Sequence, residues 1–447
     1  MRAVYQFPLK PFFLFPAQNA CKLEQASMPH RYRVLIFLFF LVFIMYLDRL
    51  CIAVAGPRMQ QDLALGPREW GWVMGAFTLA YALFEVPSGM LGDRIGPRRV
   101  LTRIVLWWSA FTVATGLVSS LKSLLIVRFL FGAGEAGAFP NCTATVSRWI
   151  PAVERARSTS VFWMATSVGG AATPLLVVPI QQAYGWRAAF YIFGSLGVFW
   201  AAAWHWWFRD TPAEMKGITA AERQLIGHQP ASHHRGLPWR VVLHNRNFQR
   251  VLVMYHLYCW GAYFYLSWLP TYLQTGRGMT EDQMKIASAM PPLAGLFGVL
   301  AGGFLSDRLS RKYSLRMARC SIGAASLIGA GACLIAATLV RGNTTAVVLM
   351  SVGLGIMNAM LPVAWSLCVD LGKQHSGAIS GAMNMAGQAG SFISSVAFGY
   401  FVEWFGSYDL ALMPLAAMLI LSGITFAAID PSDRLIPEAQ VAGLASP

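Results

Sequence analysis

The chain has 447 residues, of which 56% are hydrophobic and only 12% are charged; an ordinary soluble protein, with roughly 25% charged residues, is therefore excluded. The 35 Lys and Arg residues outnumber the 20 Asp and Glu residues. No nucleic-acid-binding motif accompanies this excess, so we expect no nucleic-acid partner and attribute it to the basic loops of a membrane protein.

The seven cysteines mostly lie within apolar runs and show no paired spacing. Free cysteines in such positions behave as small core residues, so we predict neither a disulfide framework nor a metal site, and no cofactor. Residues 1–33 precede the first long run and are predicted to be a cytoplasmic tail. Their apolar patch from Pro11 to Pro16 is too short and interrupted for a signal peptide. Alternatively, the protein starts at Met28.

Twelve apolar runs approach or exceed the ~18–20 residues that cross a bilayer as a helix. The predicted spans are 34–56, 70–92, 99–119, 122–149, 157–182 and 186–208, then 249–274, 285–306, 317–340, 345–371, 376–401 and 407–429. The polar segment 209–248 between them carries three prolines and is predicted to be a cytoplasmic linker. The sequence thus predicts an all-α membrane protein with 12 transmembrane helices in two pseudo-symmetric six-helix bundles, 34–208 and 249–429, and a cytoplasmic C-terminal tail, 430–447.

Basic residues are unevenly distributed between the two sides of these spans. Counted together with the residues at the adjoining span ends, the tails and the even-numbered connections carry 26 Lys and Arg residues, whereas the odd-numbered connections carry seven. Because basic residues accumulate in cytoplasmic loops, this asymmetry predicts that both termini are cytoplasmic. We therefore expect a multi-pass protein of the inner (plasma) membrane.

A short motif occurs twice along the chain. GMLGDRIGPRR at 89–99 follows the second span, and GFLSDRLSRK at 303–312 follows the eighth. Internal repeats are typical of transporters that bind their substrate between the two halves. A glycine at such a position allows close helix packing, and the acid and arginines suit a helix end at the cytoplasmic surface.

These two copies, at this spacing, resemble the major facilitator superfamily, and the resemblance extends over about residues 30–430. It implies a fold of two parallel six-helix repeats. It also implies that the repeated segments act as a cytoplasmic gate loop that steadies the outward-facing arrangement. The residues to which the resemblance assigns this role are Gly89, Asp93, Arg94, Gly96, Arg98, Asp307 and Arg308.

Four ionisable residues stand out within the predicted spans, namely Asp48, Arg49, Arg128 and Glu135. Charge at membrane depth is costly and marks a functional site by default. Arg128 and Glu135 are seven residues apart, about two turns, and therefore lie on one face of their helix. Arginine offers a planar fork for a carboxylate substrate, and a buried carboxyl can bind and release a proton. A purely structural cluster of ion pairs is the alternative interpretation.

Three further motifs together resemble the anion:cation symporter family, which includes bacterial sugar-acid transporters, sialin and the vesicular glutamate transporters. They are Tyr46-Leu-Asp48-Arg49, Arg128-x6-Glu135-x4-Pro140 and Trp268-Leu-Pro270-x-Tyr272. The resemblance implies that Asp48 and Glu135 carry protons, and that Arg49 and Arg128 arrange them and hold the substrate anion. It further implies a sugar-acid cavity lined by Tyr46, Tyr81, Trp365, Ser366 and Asn384.

The chain departs from this family pattern at two positions. Cys51 stands where the family usually has asparagine, and Thr166 stands near the place of a glutamine that contacts substrate in galactonate transporters. Both changes remove an amide, so the identity of the substrate does not carry over. Glu85 is a further acid, for which a coupling role and pairing with the arginines of the gate loop are both open.

We predict a proton-coupled symporter that imports a small organic anion by alternating access. A sugar acid (hexuronate, aldonate or aldarate) is the expected substrate, and a monomer in the lipid bilayer is the expected state. The alternative is a proton-coupled exporter of the same fold, although the stretch 167–174 lacks the usual exporter order G-x-x-x-G-P-x-x-G-G. A membrane-embedded enzyme would need a nucleophile–base cluster, and the histidines are scattered. A sensor without transport is a further alternative.

Overall fold

The structure, a computed structural model, describes residues 28–151, 154–227, 239–372 and 376–431. The region before Met28, residues 228–238 of the predicted linker and the C-terminal residues 432–447 lie outside the described residues. The described part of the chain is predominantly helical and contains no β-strand.

The first half of the chain forms seven long helices and one short one. They are α1 (His30–Asp62), α2 (Pro67–Ile95), α3 (Pro97–Thr115), α4 (Leu121–Glu135), α5 (Ala138–Trp149), α6 (Arg155–Tyr184), α7 (Trp186–Trp207) and α8 (Ala220–Ile226). Helices α4 and α5 together occupy the fourth predicted span. The other spans of this half are each one continuous helix.

The second half follows the same plan. Its helices are α9 (Trp239–His244), α10 (Arg246–Ser267), α11 (Leu269–Thr271), α12 (Glu281–Ser310), α13 (Leu315–Leu339), α14 (Asn343–Asn358), α15 (Met360–Gly372), α16 (Ser376–Phe405) and α17 (Tyr408–Ala427). The pairs α10/α11 and α14/α15 occupy the seventh and tenth predicted spans. A π-helical turn, Tyr272–Gly276, extends α11.

Among the described residues, nine helices or helix pairs are long and apolar enough to cross a membrane. The remaining predicted spans correspond to α3, α10 and α16, which are long helices of more mixed composition. Arginines dilute the apolar residues of α3, and Gly, Ser and Tyr dilute those of α10 and α16. These additions lower the mean hydropathy without preventing helix formation.

The break between α4 and α5 is built by a glycine. Gly137 has a left-handed backbone with φ of 88°, and a Cβ there would lie 2.5 Å from the Cβ of Ser88 on α2. Glycine alone meets both conditions without strain. The break makes Glu135 the last residue of α4.

Residues 209–227 of the predicted linker are docked onto the first half. Glu222 of α8 accepts hydrogen bonds from the backbone N–H groups of His30 (3.2 Å) and Arg31 (2.9 Å). A carboxylate at this position satisfies free N–H groups at the start of α1 and complements the helix dipole. Arg31 also forms an ion pair with Glu154 at 3.4 Å. Residue 28, residue 431 and these contacts lie at one end of the bundle, which we call the linker end.

The two halves are tightly joined at the opposite end, which we call the distal end. Cβ atoms at Gly71 and Gly75 of α2 would lie 3.0 and 2.6 Å from atoms of Ser395 and Val396 on α16. Such small residues let helix backbones approach closely in a membrane. Arg58 of α1 also donates from Nη2 to Oε2 of Glu281 on α12 at 2.7 Å. The distal end is therefore closed.

Candidate functional site

A cavity of about 680 Å³ lies between the two halves. This size is typical of a site for a small molecule. Its lining includes Thr143 and Ser380, which lie within two turns of the linker-end termini of α5 and α16. With the distal end closed, the cavity faces the linker end. Of the residues predicted to line it, the structure places these in its wall: Tyr46, Arg49, Tyr81, Thr166, Trp365 and Asn384.

Arg49 is the basic residue in the described wall of this cavity. Its guanidinium donates to Glu135 Oε1 from Nε at 2.8 Å and also from Nη2. The rings of Tyr46, Phe77 and Tyr81 have their centroids 5.4, 5.0 and 5.1 Å from its Cζ. Contacts of this kind stabilise a guanidinium through the ring quadrupole. Arg49 is thus held from the protein side while it lines the cavity.

The other three intramembrane charges lie behind the cavity wall. Glu135, Asp48 and Arg128 are 0, 1 and 3% exposed, and none of them lines the cavity. The guanidinium carbon of Arg128 lies 4.9 and 5.0 Å from the ring centroids of Phe77 and Phe131. In this conformation Arg128 therefore does not have access to a molecule in the cavity.

Asp48 is buried without an ion-pair partner. Its carboxylate lies beside Trp108 and Thr112 of α3, which are close enough to act on it as donors, although neither contact has the geometry of a normal hydrogen bond. Glu135 likewise has one unpartnered oxygen, Oε2. Buried polar atoms are normally satisfied, so these exceptions require an explanation.

Helix geometry explains why some predicted residues miss the cavity. Consecutive residues on a helix point about 100° apart, so Arg49 can line the cavity while Asp48 points away from it, and Trp365 can do so while Ser366 does not. In the structure, Arg49 and Trp365 line the cavity, whereas Asp48 and Ser366 do not. Glu135 belongs to α4, which packs on α2 and α3, and it reaches the cavity only through Arg49.

Glu85 has a partner that the sequence did not predict. Both of its carboxylate oxygens accept from Nδ2 of Asn384 on α16, at 2.8 and 2.9 Å. Among the described residues, no arginine of the gate loop forms an ion pair with Glu85, so the alternative of such a pairing is wrong for this structure. Both residues line the cavity, so this contact joins the two halves across it.

Sequence reasoning missed one face of α10. Tyr255, Tyr258 and Cys259 line the cavity beside Tyr263, and Tyr263 donates to Gln388 Oε1 at 3.1 Å. The spacing of three and four residues is the helical signal that places these side chains on one face. That signal was present in the sequence and could have identified them.

The first segment of the predicted gate loop, 89–99, lies at the linker end and is bound to the rest of the first half. The backbone N–H of Arg98 donates to Asp210 Oδ1 at 2.8 Å, and its Nε donates to the carbonyl of His205 at 2.9 Å. Gly96 has φ of 86°, which favours glycine. A Cβ at Gly89 would lie 3.3 Å from Pro140. The side chains of Arg94, Asp307 and Arg308 are exposed. The side chain of Asp93 lies outside the described residues.

Among the described residues, no group of three or more His, Cys, Asp or Glu side chains is placed to hold a metal ion. The arrangement is instead a central cavity with one guanidinium in its wall and carboxyl groups on two sides of it. Such a site can bind an anion and exchange protons.

The chain resembles transporters of organic acids along most of its length. It is 34% identical over 409 residues to a probable sulfoacetate transporter of Cupriavidus necator. The aligned region covers 90% of this chain and 94% of that protein. It is 27% identical to the hexuronate transporter of Bacillus subtilis, over 88 and 92% of the two chains. It is 29% identical to the D-galactonate transporter of Escherichia coli, over 89 and 94%.

The fold is also found among solved structures. A bacterial homologue of the human lysosomal transporter Spinster, in an inward-facing and occupied conformation, superposes with a TM-score of 0.75 at 19% identity, covering 92% of this chain and 100% of that chain. The sequence model of the Major Facilitator Superfamily matches residues 38–395. The predicted all-α membrane fold and superfamily are confirmed: the chain belongs to the Major Facilitator Superfamily and is a multi-pass membrane transporter.

Proposed function

We propose that this protein is a proton-coupled symporter that imports a small organic anion by alternating access. A sugar acid, such as a hexuronate, aldonate or aldarate, is the proposed substrate class. The observation that carries the proposal is the position of Arg49, which lines the cavity and is bonded to the buried Glu135. The relatives named for sulfoacetate, hexuronate and galactonate support a small organic acid.

Anion binding and proton binding are coupled through Arg49 in this proposal. A carboxylate that enters the cavity competes with Glu135 for the guanidinium, which favours bidentate pairing. When Arg49 turns to the substrate, Glu135 loses its partner. An unpaired buried charge costs several kcal/mol, so the carboxyl takes up a proton. Asp48, already without an ion-pair partner, is the second proposed proton carrier.

The other predicted residues have supporting roles in this scheme. Arg128 provides a second positive charge that balances the two carboxylates from behind the wall. The side chains of Tyr46, Tyr81, Thr166, Trp365, Ser366 and Asn384 are proposed to shape the cavity for the substrate. Ser366 would take part only in another conformation, since it lies outside the present wall.

The orientation follows from the distribution of basic residues. We propose that the linker end, with both termini, faces the cytoplasm of a cell whose inner (plasma) membrane holds the protein. The present conformation is then inward-facing. The halves 34–208 and 249–429 rock about the cavity as a monomer, so that the distal contacts open as the linker end closes.

Purified protein in liposomes tests the proposal directly. We expect an alkaline interior to drive uptake of D-glucuronate, D-galactonate or sulfoacetate, and a protonophore to abolish accumulation. Glu135→Gln should lose this accumulation but retain exchange of substrate across the membrane. Glu214→Gln, the same change at an exposed residue of the linker, is the matched control and should behave as the unmodified protein. Uptake of the same rate and extent with and without the pH gradient would refute proton coupling.

A further inference from the structure

Glu85 is a cavity carboxyl to which the proposed mechanism gives no task. It lies within the membrane span Pro67–Gly92 of α2 and lines the cavity. Its partner is the amide of Asn384 in the other half, which donates to both oxygens. Among the described residues, no basic side chain forms an ion pair with it. A lone intramembrane acid of this kind marks function by default.

Groups on several helices surround Glu85. From α1, the charge of Arg49 acts on it, but that guanidinium is bonded to Glu135 of α4. Its own helix contributes the Tyr81 hydroxyl one turn away. On α3, Arg103 donates instead to Ser88 Oγ at 3.2 Å. From α5, the cavity wall near it contains uncharged residues, and α16 contributes Asn384. The carboxylate of Glu85 is therefore not neutralised by a dedicated cation.

The net charge of the intramembrane residues shows why an unneutralised Glu85 matters for an anion transporter. The described spans contain Asp48, Glu85 and Glu135 against Arg49 and Arg128 in the central region, so the fully ionised set has a net charge of −1. A monoanion in the cavity would make the net charge −2. Like charges in a medium of low dielectric constant repel strongly. Protonation of both Asp48 and Glu135 brings the total to zero with a monoanion, but with a dianion such as an aldarate or sulfoacetate it leaves one negative charge, and Glu85 is the remaining carboxylate in the cavity wall.

Asparagine is a partner that suits both protonation states of a carboxyl. Its NH₂ donates to a carboxylate, and its carbonyl oxygen accepts from a carboxylic acid after the amide turns over. A lysine or arginine at 384 would stabilise only the charged form. Glu85 can thus gain or lose a proton without losing its hydrogen bond to the opposite half.

We propose that Glu85 is a third proton-binding carboxyl of the transport cycle. This inference rests on the proposed symport. When the cavity faces the distal side, a proton from that side binds the carboxylate of Glu85 and removes the charge that repels the anion. When the cavity faces the linker end and the anion leaves, the proton passes to water on that side. Each transported anion is then accompanied by one proton more than Asp48 and Glu135 carry.

The test compares unmodified protein with Glu85→Gln, using whichever of D-glucuronate, D-galactonate and sulfoacetate the unmodified protein accumulates. Glutamine imitates the neutral acid, so the variant should retain exchange and should keep its affinity at alkaline pH, where the unmodified protein weakens. Its proton-to-anion ratio, measured from the voltage at which net flux stops, should fall by about one. Glu85→Asp should restore the ratio, and Glu214→Gln should leave it unchanged.

Every other outcome contradicts either the inference about Glu85 or the proposed function. An unchanged ratio in Glu85→Gln would overturn the inference while leaving proton symport intact. Loss of exchange in Glu85→Gln would also overturn it, because the neutral form is the one said to admit the anion. If the unmodified protein accumulates none of the three anions under a pH gradient, the proposed function itself fails, and the comparison of variants is not reached.

Discussion

The guanidinium of Arg49 is the residue on which the site depends. Two of its N–H groups contact one oxygen of Glu135, and three aromatic rings lie within 5.4 Å of its Cζ. A planar, delocalised cation suits this environment, whereas a lysine ammonium is compact and strongly hydrated. Because Arg49 also lines the cavity, its N–H groups that are not bonded to Glu135 remain for an anion there.

Arg49→Lys should therefore weaken substrate binding more than it disturbs folding. Loss of a bidentate, charge-assisted pair costs about 1.5–3 kcal/mol, or roughly 10- to 100-fold in affinity. Titration of the purified protein with its anion would measure this. Arg128→Lys is the matched comparison, since Arg128 does not line the cavity and a smaller loss is expected. Equal losses would place both arginines on the substrate.

Asp48 permits a separate prediction about coupling. Its carboxylate has no hydrogen-bond partner, and asparagine has nearly the same shape but binds no proton. Asp48→Asn should abolish accumulation driven by a pH gradient and should leave exchange of substrate between two sides at equal pH. Uptake against a concentration gradient and exchange are measured in the same liposomes. Full accumulation by the variant would exclude Asp48 from the coupling machinery.

At the scale of elements, each broken helix borders the cavity. Pro140 of α5, Leu269 and Pro270 of α11, and Leu361 of α15 all line it. Discontinuous helices at mid-membrane are typical of substrate sites in transporters, because the break frees the backbone locally and changes the side-chain register. In α4/α5 the break leaves Glu135 at a helix end next to Arg49.

Gly137→Ala tests whether this break positions the site. The substitution adds left-handed strain of about 1–2 kcal/mol and a clash with Ser88, whose Cβ would lie 2.5 Å from the new atom. We expect a lower midpoint of thermal unfolding and impaired anion binding. Gly406→Ala is the control, because φ there is 61° but nothing lies within 4 Å. A similar loss of both properties in the control would show that backbone strain, and not the contact with α2, is responsible.

At the scale of the whole molecule, the sequence predicted local features well and contacts between distant residues poorly. Apolar runs located the helices within several residues, and the scarcity of intramembrane charge singled out Asp48, Arg49, Arg128 and Glu135. Periodicity could also have chosen Arg49 over Asp48 as the cavity residue once the neighbouring helices were known. The contact between Glu85 and Asn384 joins residues 299 positions apart, and nothing in one sequence specifies such a pair.

The closed distal end predicts how the conformational balance can be changed. Glu281 accepts from Arg58 at 2.7 Å and from Gln181 Nε2 at 3.0 Å, so it ties α12 of the second half to two helices of the first. Its side chain is only 13% exposed. Hydrogen bonds to a charged group are worth about 1.5–3 kcal/mol. Glu281→Gln should therefore raise the population open at the distal end, roughly 10-fold or more.

Cys259 provides the measurement, because it lines the cavity. In a protein whose other cysteines are replaced by serine, Glu281→Gln should speed its labelling by an impermeant thiol reagent added at the distal side. Glu403→Gln is the control: it breaks the pair with Arg68 at the same end, but those side chains are 47 and 44% exposed, and such pairs contribute little. If both variants label equally fast, the closure lies in helix packing between α2 and α16 and not in the Arg58–Glu281 contact.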